Sequence, residues 1–116
     1  MSSVMDVDSF WGRVGEDSAL AHELIDLFLA EGPGRFNAVR AAVLEKDAVA
    51  LRQAAHAVKG SVANFSAASA VDAAAALEQM GRSGDLSGVD EAFVVFDRQL
   101  GLLRSALAEY KEGLPL

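Results

Sequence analysis

Residues 51–65, LRQAAHAVKGSVANF, decide the fold, because their apolar positions recur with helical and not strand spacing. At about 100° per residue, Ala55, Val58, Val62 and Phe65 fall within about 40° of Leu51 and form one core stripe. His56 then lies about 140° from Leu51 and Gly60 about 180°, with Arg52, Lys59 and Ala63 between about 80° and 120°. The histidine is therefore expected to project outward, beside two cations and one turn from a glycine. Glycine costs roughly 1 kcal/mol in a helix interior relative to alanine, so its presence there asks for a reason.

The same periodicity extends through the chain. Val89, Phe93, Phe96, Leu100, Leu103, Leu107 and Tyr110 trace a single stripe over a long last helix. Ser87 or Asp85 is its expected N-cap, and Gly113 followed by Pro115 its end. An earlier helix begins after Asp17, with Leu20, Leu24, Leu27 and Phe28 expected on its buried side. In EGPGR, residues 31–35, Pro33 is expected to break or kink that helix. Phe36, Val39, Val43 and Leu44 then resume the pattern as far as Lys46, and Asp47 can cap the helix containing His56.

A further helix is expected from about Ser66 to Arg82. It is rich in alanine, which lets neighbouring axes approach closely. RSGDLSG, residues 82–88, reads as a loop. A short segment around Phe10, Trp11 and Val14 is expected over one end of the core. Four long helices with short connections predict an all-α, antiparallel four-helix bundle with a short extra N-terminal helix, one domain over 1–116.

Composition narrows the function. The chain has 116 residues, 52% of them hydrophobic, which suffices for a single compact core. There are no cysteines, so disulfides, thiolate metal sites and cysteine nucleophiles are excluded. A net charge of −7 argues against nucleic acid and against an anionic membrane surface. No apolar run reaches the ~20 residues of a membrane span. MSSVMDVDSF, residues 1–10, lacks the basic start of a signal peptide, so a cytoplasmic protein is expected.

No Asp or Glu occurs between Asp47 and Asp72, leaving Arg52 and Lys59 as a positive island around His56. Cations so close would disfavour the imidazolium and so favour a neutral, nucleophilic ring. They would also stabilise a phosphoryl group placed on it. Gly60 leaves a bare patch through which another macromolecule could approach. Together these features point to phosphoryl transfer through a docked partner.

Other chemistries find less support. His22 is the only other histidine, on the polar face of its helix, and Glu16, Glu23 and Asp26 around it read as solvated surface, so no metal site is expected. Ser61, about 80° from the core stripe on the flank opposite Lys59, reads as a packing residue and not a nucleophile. No glycine-rich loop follows a strand, so nucleotide binding is not expected.

AAHAVKGSVANF, residues 54–65, resembles the signature of histidine-containing phosphotransfer (HPt) domains, His-x-x-Lys-Gly-Ser followed by small residues. ELIDLFLAEGPGRFNAVRAAVLEKDAVALRQAAHAVKG and LEQMGRSGDLSG are similar to the family's flanking segments, so the likeness covers about Asp17 to Leu107. The resemblance implies that His56 is the phosphoacceptor, Lys59 neutralises phosphoryl oxygens and Gly60 admits the partner. Glu78 falls where a polar residue often orients the imidazole, and Arg52, Gln53, Ala63 and Asn64 are implied rim contacts.

The implied partners are response-regulator receiver domains or a hybrid histidine kinase. The chain would act as a monomeric carrier and not an enzyme, with no cofactor of its own and Mg²⁺ on the receiver. A non-catalytic adaptor bundle, or the phosphotransfer module of a hybrid or chemotaxis-type kinase, is the alternative. Val62 and Ser66 depart from the family pattern, where a second small polar residue and a glycine are common.

Overall fold

The computed structural model describes residues 4–114, which form five helices: α1 (Val7–Arg13), α2 (Ser18–Leu44), α3 (Ala48–Ala63), α4 (Ala68–Ser83) and α5 (Val89–Glu112). Three begin as their sequences dictate. The carboxylates of Asp6, Asp17 and Asp47 accept the N–H of Ser9, Leu20 and Ala50, satisfying donors that have no partner within their own first turn. α2 packs on α3 and α5, and α4 packs on the same two, so the long helices close a ring. Short connections between packed neighbours make the bundle antiparallel, as expected.

α1 lies over one end. Its Phe10 is fully buried, with ring centroids 5.3 Å from Phe65 and 6.0 Å from Tyr110. Phe28 joins the cluster at 5.1 Å from Phe65, so one aromatic group ties α1, α2, the end of α3 and α5. The predicted α3 stripe is the bundle's centre: Leu51, Ala55, Val58, Val62 and Phe65 are all buried.

Several expectations are corrected. Pro33 neither breaks α2 nor ends it; the helix runs on to Leu44. Proline normally crowds the residue before it, but here that residue is Gly32, which has no Cβ to clash. The buried face of α2 is Ala21, Ile25, Phe28, Gly32, Val39, Ala42 and Val43, whereas Leu20 is exposed and Leu27 and Leu44 are 52% and 75% exposed. A continuous helix keeps one phase throughout, and these leucines fall off it. Neither Ser87 nor Asp85 caps α5; Gly88, at φ 77°, occupies that position with no side-chain cap. The Asp85 carboxylate instead accepts the Ser87 N–H within the loop. α4 starts two residues later than expected, at Ala68, because Ser66 adopts φ 53° and turns the chain. That left-handed backbone is one that glycine adopts freely and serine does not, so glycine would suit this position. α5 ends at Glu112 with Gly113 as C-cap; Pro115 lies outside the described residues.

α3 and α4 come into close backbone contact where Gly81 meets the start of α3. A Cβ at Gly81 would stand 2.5 Å from Arg52 N and 2.7 Å from Ala48 O. With Ala70, Ala73 and Ala74 it gives α4 a buried face of mostly small residues, which brings this helix against α3.

Candidate functional site

His56 is held outward on α3, its side chain 69% exposed. Because Leu51, Ala55, Val58 and Val62 occupy the buried phase, no rotation of α3 could turn the ring inward without exposing that stripe. The close packing of α4 delivers Glu78 beside it. Glu78 is the only charged side chain buried among the described residues, and Nδ1 of His56 lies 2.8 Å from its Oε2. Lys59 Nζ stands 2.6 Å from Oε1, and the Arg82 guanidinium donates to Oε2 at 3.0 Å.

The positive island is therefore corrected. No acid lies near His56 in sequence, but Glu78 enters from the next helix and binds Lys59 of the island together with Arg82 of its own helix, while Arg52 stays exposed. The ammonium of Lys59 holds the Glu78 carboxyl down, against the opposing effect of burial, and the His56 contact lowers it further. The group ends at about 2, below its ordinary 4.5. At neutral pH this carboxylate can only accept, so Nδ1 of His56 must carry the N–H that donates to it. In the neutral ring the lone pair then belongs to Nε2. The site thus presents an exposed imidazole with its tautomer set and a cation within the same cluster.

A pH consequence follows. A carboxyl whose folded pKa is depressed adds stability in full above its ordinary pKa, and loses it as pH falls through the folded value. Glu78 thus contributes above pH 4.5, and the contribution fades as pH drops toward about 2. Glu78→Gln should lower stability at pH 7 by roughly 1–2 kcal/mol, less than a fully buried pair because Lys59 and Arg82 can turn to water. Urea melts across this range should also show a flatter acid limb for the variant than for the parent.

On the other flank of His56, Gly60 leaves open space: a Cβ there would meet nothing within 4 Å. It lines a shallow depression with Ala57, Ser61 and Asn64 of α3 and its C-cap and with Leu24, Leu27, Glu31 and Arg35 of α2. Ser61, half-buried, sits inside that depression on the flank away from Lys59. Arg52, Gln53 and Asn64 are exposed around the histidine. Ala63 is different: it is half-buried beside α1, its carbonyl accepting the Arg13 guanidinium at 2.8 Å.

His22 is corrected as well. It is half-buried between α2 and the end of α5, its Nε2 shut from water without a hydrogen-bond partner, while Asp26 nearby is paired with Lys111. Among the described residues no three His, Asp or Glu side chains are placed to hold a metal ion. None of their helices is long and apolar enough to cross a membrane. Two residues escaped the sequence reading. Arg82 carried a usable signal, its i,i+4 spacing from Glu78; Gly81 carried none, since only the packing of α4 on α3 reveals its role.

Residues 23–112 match the protein family described as Hpt domain. No curated protein sequence shows a significant match. Among solved structures, histidine-containing phosphotransfer protein B (HptB) from Pseudomonas aeruginosa PAO1 is similar at a TM-score of 0.89. That similarity has 22% identity and covers 99% of this chain and 100% of that one, so it speaks to the fold.

Proposed function

The chain belongs to the Hpt domain family and is thus a histidine phosphotransfer protein of a phosphorelay; on that premise we propose that it shuttles phosphoryl groups between the aspartates of receiver domains through His56. The observation that carries this reading is the bond from His56 to the ionised, buried Glu78, which leaves Nε2 as the nucleophilic nitrogen of an exposed ring.

Nε2 attacks the phosphorus of an aspartyl phosphate. The N–P bond forms as the P–O bond breaks, and the receiver's aspartate leaves as carboxylate. The ring acquires positive charge, which Glu78 balances through Nδ1–H. Lys59 turns to the phosphoryl oxygens, and the reverse attack by a second receiver's aspartate completes transfer. Mg²⁺ belongs to the receiver's acidic pocket, so the chain acts as carrier and substrate and not as an enzyme. Arg52, Gln53, Ala63 and Asn64 form the rim met by the receiver, with Ala63 at its α1 edge. A monomer in the cytoplasm suits this role. Where the receiver and kinase lie on another chain, this protein serves them in trans.

Incubating the chain with phosphorylated receiver domains of its host tests the reading. Label should move to this chain as an acid-labile, base-stable phosphate, fastest from its cognate receiver; failure with every receiver would overturn it. Gly60 offers a separate check. Gly60→Ala should raise stability by about 1 kcal/mol, since the new methyl meets no neighbour. It should nevertheless slow receiver-dependent transfer by occupying the approach to His56. Raised stability with unchanged transfer would make Gly60 a mere flaw in α3.

A further inference from the structure

Glu78 is served by two cations, although a single carboxylate needs only one counter-charge. Lys59 takes Oε1 at 2.6 Å, and Arg82 shares Oε2 with His56 at 3.0 Å. Under the function proposed above, Lys59 has two tasks that exclude one another: neutralising buried Glu78, and neutralising a phosphoryl group on His56. A carboxylate only 5% exposed cannot be left without a partner at low cost. Before the imidazole gains its own charge, Lys59 can leave the carboxylate only if another cation stays behind.

We propose that Arg82 is a positioning residue for phosphoryl transfer, holding the Glu78 carboxylate so that Lys59 is released to the phosphoryl group. This rests on the reading of His56 and Lys59 above and adds to it a division of labour between two cations. The geometry fits both tasks. Arg82 lies one turn from Glu78 on the same helix, so its bond to Oε2 persists whatever Lys59 does. Lys59 lies one turn from His56 on α3, on the same flank of the ring, where its flexible stem can swing between carboxylate and phosphoryl oxygens. Arg82 never touches the reacting atoms; it acts through Glu78 and Lys59.

The test is a double-mutant cycle on phosphorylation by phosphoramidate, which needs no receiver. In that reaction His56 Nε2 forms the new N–P bond as the donor's P–N bond breaks and its nitrogen leaves as ammonia. Lys59→Ala should slow the reaction, and Arg82→Ala should slow it roughly 3–10-fold, in the lower part of the range of coupling within one network. In the Lys59→Ala background, Arg82→Ala should have no further effect, and Arg82→Lys should restore most of the rate. Thermal melts of each variant separate loss of fold from loss of rate.

Equal slowing by Arg82→Ala in both backgrounds would overturn the inference, because Arg82 would then act independently of Lys59. No slowing in a folded Arg82→Ala protein would overturn it too. If Lys59→Ala itself changes nothing, or if His56 takes no phosphoryl group, the proposed function fails first and the inference with it.

Discussion

His56→Gln is expected to abolish phosphorylation of this chain entirely, by receiver and by small phosphoryl donors alike. Glutamine keeps the bulk and polarity of imidazole on the exposed face of α3 and can still donate to Glu78, so the bundle should keep its melting temperature within a degree or two. It has no nitrogen lone pair able to attack phosphorus at neutral pH. The chain has only two histidines and no cysteine. His22 is poorly placed to substitute, being half-buried with its Nε2 shut from solvent between α2 and the end of α5. Phosphate analysis after acid and base treatment decides the matter: residual acid-labile label in His56→Gln would mean that another residue accepts the phosphoryl group.

The same variant separates carrier from adaptor. A bundle that only binds a receiver would lose nothing when His56 is replaced, because Gly60, Leu27 and Asn64 on the neighbouring depression remain intact. A carrier loses transfer while keeping its docking surface. Receiver binding measured beside phosphotransfer should therefore show affinity within a few-fold of the parent and no transfer. Loss of both together would place His56 in the docking contact itself.

How much of this was legible in the sequence depends on whether a feature is local. The α3 stripe and the outward histidine follow from one helix's period, the Asp47 cap from one turn, and the start of α2 from Asp17; the structure places these as read. Features set by a neighbouring helix were harder. Leu27 and Leu44 are as apolar as any core residue, but burial belongs to the phase of a continuous α2, and that phase depended on Gly32 letting Pro33 pass. Glu78 could be named only through the family resemblance, and nothing in its local sequence says that it is buried beneath His56 and Lys59. The island that read as purely positive is a charge-compensated cluster because α4 brings an acid across a helix interface.

Gly81→Ala is expected to have the largest effect on stability of any alanine substitution at a glycine of this bundle. At Gly60 the same methyl points into open space; at Gly81 it would stand 2.5 Å from Arg52 N, 2.7 Å from Ala48 O and 2.9 Å from Arg52 Cα. All three are backbone atoms of α3, so no side chain can move aside and the helices themselves must part. Overpacking of this kind typically costs 1–3 kcal/mol and occasionally more, against the ~1 kcal/mol of intrinsic helix propensity that alanine contributes. Because the atoms met are all backbone, the cost belongs at or above the top of that range, and a net loss of about 2 kcal/mol should lower the melting temperature by several degrees or more in a domain of this size. Parting α3 from α4 also draws Glu78 away from His56 and Lys59, so the folded fraction of Gly81→Ala should take up phosphoryl groups more slowly than its stability alone accounts for. Calorimetry paired with phosphoramidate labelling at a temperature where the variant is fully folded separates the two effects. A stabilised Gly81→Ala protein would mean that the helices are not in backbone contact there, and that Glu78 is brought to His56 by something other than the close approach of α4.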